Sequence, residues 1–509
     1  MDEKEERPEN PAPGTDKEPK LGDQDLARRE KLRRLAEAGI ELFPHRADWT
    51  HSVAAIVAEY SMLPKEELEE QKPAVKVPGR ILTIRKMGRA TFFHISDGRS
   101  RLQVYIREDV AGAEAYERFA LLDIGDVVLV AGTLFKTRTG ELTVLCASWT
   151  FLAKSLHPLP EKWHGLQDVE IRYRKRYLDL IMNPDVVRVF RLRSALVAHM
   201  RRFFDERGFM EVETPMMHVI PGGAIARPFK TFHNALGMDL YLRIAPELFL
   251  KRLTVGGLDR VYEINRNFRN EGIDAEHNPE FTMLEFYQAY SDYEDMMELT
   301  EVLLNHLSLT ILGKDELPFG EHLISFKRPW KRLKFKDAAV ELSGLAPSRF
   351  ADEKGLIETA AAMAPDKKPE TYAKALDIIF DKLVKPKIIQ PTFIINPPKE
   401  VSPLAKSVPG APDEAARFEL MISGMEIANA FSELTDPAEQ RARFEQQAEE
   451  RKKGDEESHW IDSEYVEALE YGLPPTGGEG IGIDRLTMIF ANRTSIRDVI
   501  LFPLLKPRA

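Results

Sequence analysis

A single cysteine, Cys146, in a chain of 509 residues excludes a disulfide scaffold and a thiolate metal cluster. No run reaches the roughly 18 consecutive apolar residues that a membrane helix needs. The opening residues, MDEKEERPENPAPGTDKEP, lack the apolar stretch of a secretory signal. Rich in charge and proline, they predict a disordered head over 1–23 and a cytoplasmic protein without membrane association. Net positive charge is also lacking. With 71 Lys and Arg against 82 Asp and Glu, the formal charge is -11. That argues against a protein that coats nucleic acid indiscriminately and against DNA as a partner, while leaving room for a local basic face.

The patterning that is present divides the chain. Residues 24–75 read as a helical segment, with a basic amphipathic helix from Gln24 to Leu42 closing near Gly39. That helix suits either a nucleic-acid backbone or a face packed against the protein. Residues 76–153 switch to a period of two, with about five strands punctuated by glycine and aspartate turns, the signature of a small β-barrel. Arg80, Phe92, His94 and Gln103 fall on its first three strands. An exposed ring there could stack on a base and Gln103 could read a base edge. Alternation requires that only one of Phe92 and Phe93 face inward, and Phe92 is taken as the outward one. A linker at 154–167 contains HPLPEKWHG. From 168 to 509, short apolar segments interleave with helices, which predicts an α+β domain on a mainly antiparallel sheet flanked by helices. A helical insertion at about 340–388 carries no chemical residues.

Two distant runs, FRNEGIDAEHNPEF at 268–281 and GIGIDR at 480–485, complement each other. The first is a hairpin bearing a cation (Arg269), an acid (Glu271), a pH-sensitive donor (His277) and an aromatic plate (Phe281). A guanidinium can hold a carboxylate and a phosphate oxygen together as charge builds on phosphorus. Phe281 offers a face for adenine, and Glu271 an acceptor for its exocyclic amine. In the second run Gly480 and Gly482 leave one face of a short strand bare for close approach of a ligand, and Arg485 follows to clamp phosphates. Together they read as a nucleoside-triphosphate site.

At these residues the chain resembles the class II lysyl-tRNA synthetases of bacterial-like form, over about residues 25 to 505. GFMEVETP at 208–215 looks like the first class motif, FRNEG with HNPEF the second, and GIGIDR the third. The resemblance implies an N-terminal five-stranded OB-fold that reads the anticodon through Arg80, Phe92 and Gln103, followed by a class II catalytic domain. It implies a homodimer that joins L-lysine to ATP and passes the lysyl group to tRNA(Lys). Pro215 ends the GFMEVETP run as a central strand, and its apolar flank suits a subunit interface.

Carried over residue by residue, Glu247 and the backbone at Gly223 would hold the α-amino group and Arg269 the carboxylate. Glu433 and Tyr287 would hold the ε-ammonium, with Asn429, Phe431 and Glu285 shaping the wall. A buried ammonium must be paired, so an acid at that depth is physically sensible. Aspartate and asparagine enzymes share the barrel and the motifs, and Glu433 separates lysine from them. A truncated relative that modifies protein lacks the barrel present here. Glu419 and Glu426, seven apart, would face opposite ways along one straight strand. Ser423 and Gly424 predict a tight reversal that brings them across from each other as hard-oxygen ligands for Mg²⁺, more than one ion of which the resemblance implies beside ATP. His277 has no second histidine at ligand spacing and is read, with Glu426, Gly482 and Arg485, as a contact to ATP.

Overall fold

The computed structural model describes residues 21–160, 168–365, 369–452 and 460–506; most of the expected N-terminal head and half of the linker lie outside them. The chain forms two compact units, Met1–Val187 and Arg188–Ala509.

In the first unit the period-two segment closes into a barrel: β1 (Ala74–Met87), β2 (Ala90–Ser96), β3 (Arg101–Arg107), β4 (Val127–Lys136) and β5 (Leu142–Ala153), in the order β1-β2-β3-β5-β4. Closure needs β1 long enough to pair with β2 at one end and β4 at the other, and an irregularity between Ile81 and Thr83 lets it turn the corner. In β4 the ladder slips between Ala131 and Gly132, where an added Cβ would sit 1.9 Å from the Leu145 carbonyl oxygen. Only glycine fits there. Alternation sorts β2 and β3 cleanly: Phe93, Ile95, Leu102, Val104 and Ile106 fill the interior, while Phe92 stays half-buried on the outer face.

Three short helices precede the barrel and share its core through Leu35, Val53, Ile56 and Leu68. The first, Asp23–Glu37, uses much of its positive charge internally. Arg28 donates to the Ser155 carbonyl at 2.8 Å, Lys31 pairs with Asp123, and Arg33 pairs with Glu30 and Glu37. This favours a helix packed on one side. The run IRYRKRYLDLI breaks at Lys175 into two helices, Val169–Arg174 and Arg176–Met182.

The second unit is built on an eight-stranded sheet in the order Lys331–Lys334, Thr392–Ile395, Arg417–Ile422, Met425–Ser432, Thr476–Gly482, Glu280–Ala289, Arg260–Phe268, Met210–Glu211. Only the two outermost pairings are parallel. One face packs on the helices Pro184–Asp205, Tyr293–Leu312 and Ile483–Ala491, burying Phe204, Leu303, Leu304, Phe286, Phe418, Ile481 and Leu486 in one core. The opposite face carries polar side chains such as Glu285 and Asn429 together with Val261, Ile394 and Met421, which pack in smaller clusters. The expected insertion supplies the helices Glu353–Met363 and Tyr372–Ile379, which join Phe335–Leu342 in a separate apolar cluster with Ile394 and Met421.

The barrel geometry separates two adjacent phenylalanines by function. Phe93→Ala should cost about 3–5 kcal/mol of stability by leaving a core cavity. Phe92→Ala should cost less than about 1.5 kcal/mol, because the ring is only half-buried. Chemical denaturation of both variants checks the difference, and equal losses would contradict the inward and outward assignment.

Candidate active site

Strand parity builds the site. Along Glu280–Ala289, Leu284 and Phe286 enter the core, which turns Phe281, Met283, Glu285 and Tyr287 to the other face. Along Thr476–Gly482, Ile481 is in the core and Gly478, Gly480 and Gly482 line the open face. A Cβ on Gly478 would lie 2.2 Å from Glu433 Oε1 and 2.3 Å from the Tyr287 ring, and one on Gly480 would lie 2.6 Å from Met283. Side chains from the neighbouring strands occupy the space that these glycines leave. Below this face opens a cavity of about 360 Å³.

Thirteen of the sequence-predicted residues border that cavity: Gly223, Glu247, Arg269, Glu271, His277, Phe281, Glu285, Tyr287, Glu426, Asn429, Phe431, Gly482 and Arg485. The two distant runs therefore meet. Asp484 locks them together, pairing with Arg193 at 2.6 Å and accepting from the Thr282 backbone N–H at 2.7 Å. Arg485, in the first turn of Ile483–Ala491, donates to the Glu426 carbonyl at 2.8 Å and lies 2.9 Å from His277 Nε2. His277 Nδ1 rests 2.9 Å from Asp274. The Arg269 guanidinium stands over the Phe281 ring, 5.1 Å from its centroid, so the face expected to take adenine carries a cation here.

Glu419 and Glu426 do not pair directly. The two-residue turn exists, with Ser423 and Gly424 both at positive φ, but Glu426 opposes Met421 and Glu419 opposes Asn429. Both still reach the same face, because Met421 and Glu419 are two apart on one strand. A bulge between the Leu420 and Met421 registers inserts one extra residue into the facing strand, letting Glu426 share a face with Asn429 and Phe431 despite the odd spacing. The two acids feel each other. Burial and Glu426 push Glu419 up to about 7, whereas Arg485, Lys385, Arg417 and Arg269 outweigh burial and hold Glu426 below its ordinary value. Among the described residues no group of three or more metal-binding side chains converges. A cation held by these two carboxylates would have to complete its shell with ligand oxygens or water.

At the far end the cavity floor is acidic. Glu247 opens the helix Glu247–Val255 and is buried against Gly223, where a φ of 88° would strain any side chain and an added Cβ would sit 3.0 Å from that of Glu247. Tyr287 donates to Glu285 at 2.7 Å. Glu433 is fully buried against Gly478, which borders the cavity, and Lys251 meets it there as an ion pair with no aligned hydrogen bond to either carboxylate oxygen. Desolvation, reinforced by neighbouring acids, raises Glu285 and Glu433 to about 8 each.

Sequence reasoning missed Lys251, Arg417 and Asn278. Arg417 bonds Glu419 at 2.6 Å and Asn429 at 3.0 Å. Asn278 borders the cavity with a buried carbonyl oxygen that has no partner. It follows His277 directly, and a polar residue inside so charged a loop was a usable signal.

On the barrel, Phe92 stacks on Tyr105, centroids 4.2 Å apart and planes 15° apart. Beside them Gln103 donates to Glu141 at 2.7 Å, and His94 approaches the same carboxylate at 3.0 Å. Tyr105 and Glu141 were not foreseen. Arg80 is half-buried and spends one guanidinium N–H on the Gly125 carbonyl at 2.7 Å, and burial lowers its pKa.

Comparison with known proteins accords with this architecture. Residues 75–152 match the OB-fold nucleic acid binding domain, and residues 168–506 match the family described as tRNA synthetases class II (D, K and N). A lysine–tRNA ligase of Pelotomaculum thermopropionicum is 53% identical over 484 residues, covering 94% of each chain. One from Carboxydothermus hydrogenoformans is 52% identical over 94% of this chain and 97% of its own. One from Bacillus subtilis is 50% identical over 96% of this chain and 98% of its own. With two thirds of its length matched by the family and relatives this similar along nearly all of it, the chain belongs to the class II tRNA synthetases of the aspartate, lysine and asparagine group.

Proposed function

We propose that this protein is an ATP-dependent lysine–tRNA ligase. The observation that carries the reading is the acidic floor: three buried carboxylates, Glu247, Glu285 and Glu433, converge where the family must recognise an amino-acid side chain. Aspartate or asparagine would leave these acids repelling or unpaired, whereas lysine brings an ammonium to them. The names of its relatives support the same choice.

In the first step the lysine carboxylate attacks the α-phosphorus of ATP and pyrophosphate leaves. In the second, the terminal ribose hydroxyl of tRNA(Lys) attacks the carbonyl of the lysyl-adenylate and AMP leaves. No side-chain nucleophile is required, because the adenylate is already an activated acyl group. Catalysis is positioning and charge stabilisation. Arg269 holds the substrate carboxylate against the α-phosphate, and it must swing off the Phe281 ring for adenine to stack there. Glu271 and the unpartnered Asn278 oxygen receive donors from the nucleotide, while His277 and Arg485 hold its phosphates beside Gly482. Glu247 and the Gly223 backbone take the α-amino group. Tyr287 and Glu433 take the ε-ammonium, with Glu285, Asn429 and Phe431 forming the wall. Glu419 and Glu426 would hold Mg²⁺, and their place on one face of the sheet supports that donor role. Bound there, Mg²⁺ would neutralise charge on the phosphates. The outer barrel face, with Phe92, Gln103 and Arg80, reads the anticodon, although the Arg80 bond to Gly125 leaves that residue only part of its donors.

The homodimer is supported by exposed apolar residues around the first motif: Met210, Met217, Val219, Ile225, Phe232 and Leu236. No described helix is long and apolar enough to cross a membrane. We place the enzyme in the cytoplasm with the rest of translation.

Pyrophosphate exchange into ATP, assayed with each of the twenty amino acids and without tRNA, should proceed with lysine alone; exchange with aspartate or asparagine would overturn the pocket assignment. Arg269→Ala should lower the exchange rate by about two to three orders of magnitude, as loss of an electrostatic contact to the reacting phosphate does. Glu433→Gln should raise the KM for lysine far more than that for ATP, and equal losses would remove Glu433 from side-chain recognition.

Lysine binding should also depend on pH in a definite direction. Burial pushes Glu285 and Glu433 up to about 8 in the folded protein against 4.5 ordinarily, so they stabilise the fold below 4.5 and that contribution is lost as pH rises through about 8. A bound ammonium favours their ionised forms and offsets the loss. The thermal shift produced by saturating lysine should therefore grow from about pH 6 to about pH 8. A shift that is flat or shrinks across that range would contradict the assignment.

A further inference from the structure

The acidic floor already contains an ammonium. Lys251 is fully buried one helical turn beyond Glu247, donates to Glu247 Oε1 at 2.5 Å and pairs with Glu433. Three rings surround its Nζ, with the centroids of Tyr287, Phe431 and Tyr465 at 6.0, 5.9 and 6.0 Å. Carboxylates with aromatic faces make a favourable setting for an alkylammonium taken out of water. Lys251 is also anchored. Leu250 and Thr254 beside it are buried, so its helix cannot turn to release the side chain.

Charge counting gives this residue a purpose. The other cations at this end have acids of their own: Arg243 pairs with Glu263 at 2.7 Å and Arg417 with Glu419 at 2.6 Å. Of the three acids Glu247, Glu285 and Glu433, Lys251 touches the first and last. Three carboxylates less one ammonium leave two negative charges when all are ionised. A diamino acid brings two ammoniums, and its carboxylate goes elsewhere.

We propose that Lys251 is a specificity-determining residue, a resident counter-ion that sets the charge of the pocket to that of a substrate with two ammonium groups and holds Glu433 at the depth its side chain must reach. The inference rests on the lysine reading of the pocket. Lys251 touches no reacting atom and is a positioning residue. Without it, three acids face two ammoniums, one negative charge is left buried without a counter-ion or must take up a proton, and Glu433 loses the partner that fixes its reach.

The test uses the full-length protein and lysine-dependent pyrophosphate exchange. Lys251→Met should raise the KM for lysine about tenfold or more while the KM for ATP changes less than about twofold. Adding Glu285→Gln, which removes one acid and returns the count to balance, should recover at least about threefold of that loss. An unchanged lysine KM in folded Lys251→Met overturns the proposal. So does a defect that Glu285→Gln leaves untouched, which would mark a purely steric role. If Lys251→Met does not fold, Lys251→Arg carries the test, since it keeps the charge and moves it. Its preference for lysine over ornithine in kcat/KM should then fall about fivefold or more from the parent value, and an unchanged ratio overturns the proposal. Failure of the lysine reading itself would be distinct, because the parent protein would then show no exchange with lysine.

Discussion

Successive residues of a strand face opposite ways, and the catalytic sheet depends on that constraint throughout. Its helix-covered face takes Leu284, Phe286, Phe418 and Ile481 into the core. The same strands must then present Phe281, Glu285, Tyr287 and a row of glycines on the other side. Packing one face thus fixes the positions of the chemical groups on the other. Where parity would fail, between Glu426 and Asn429, a bulge restores it. The core behind the site and the ion pairs and hydrogen bonds within it together hold these groups in place.

Gathering acids on that face has an electrostatic cost. Glu285 and Glu433 are driven to about 8 by burial and by one another's neighbours. Protons and one internal lysine share the charge of such a cluster, and external ammoniums would favour its ionised form. At the other end of the cavity the cations Arg269 and Arg485 surround Glu426 and lower its pKa. The cavity therefore differs along its length, with carboxyl groups that hold their protons at one end and guanidinium groups at the other.

Much of this was legible in the sequence, for identifiable reasons. Period-two alternation separated Phe92 from Phe93, and the Ser423–Gly424 pair announced its turn by composition. The two motif runs carried unusual residues at fixed offsets. What escaped were interactions between segments distant in sequence. In ELFLKR, Lys251 looks like any solvated lysine on a helix, and only its meeting with Glu433 from another strand reveals a buried ion pair. Tyr105 and Glu141 on the barrel face were missed because their roles depend on which strands close next to which. The exact opposition of Glu419 and Glu426 failed because a two-residue turn at Ser423 and Gly424 already sets Glu426 across from Met421.

The central claim is that the acidic floor reads an ammonium at the end of a four-carbon side chain. The most direct measurement is calorimetric titration of the purified protein with lysine and with norleucine, which keeps the chain length and lacks the ammonium. The account predicts that lysine binds and that norleucine binds at least about a hundredfold more weakly, since removing one partner from a buried ion pair costs about 3–5 kcal/mol. Comparable affinities for the two would contradict it.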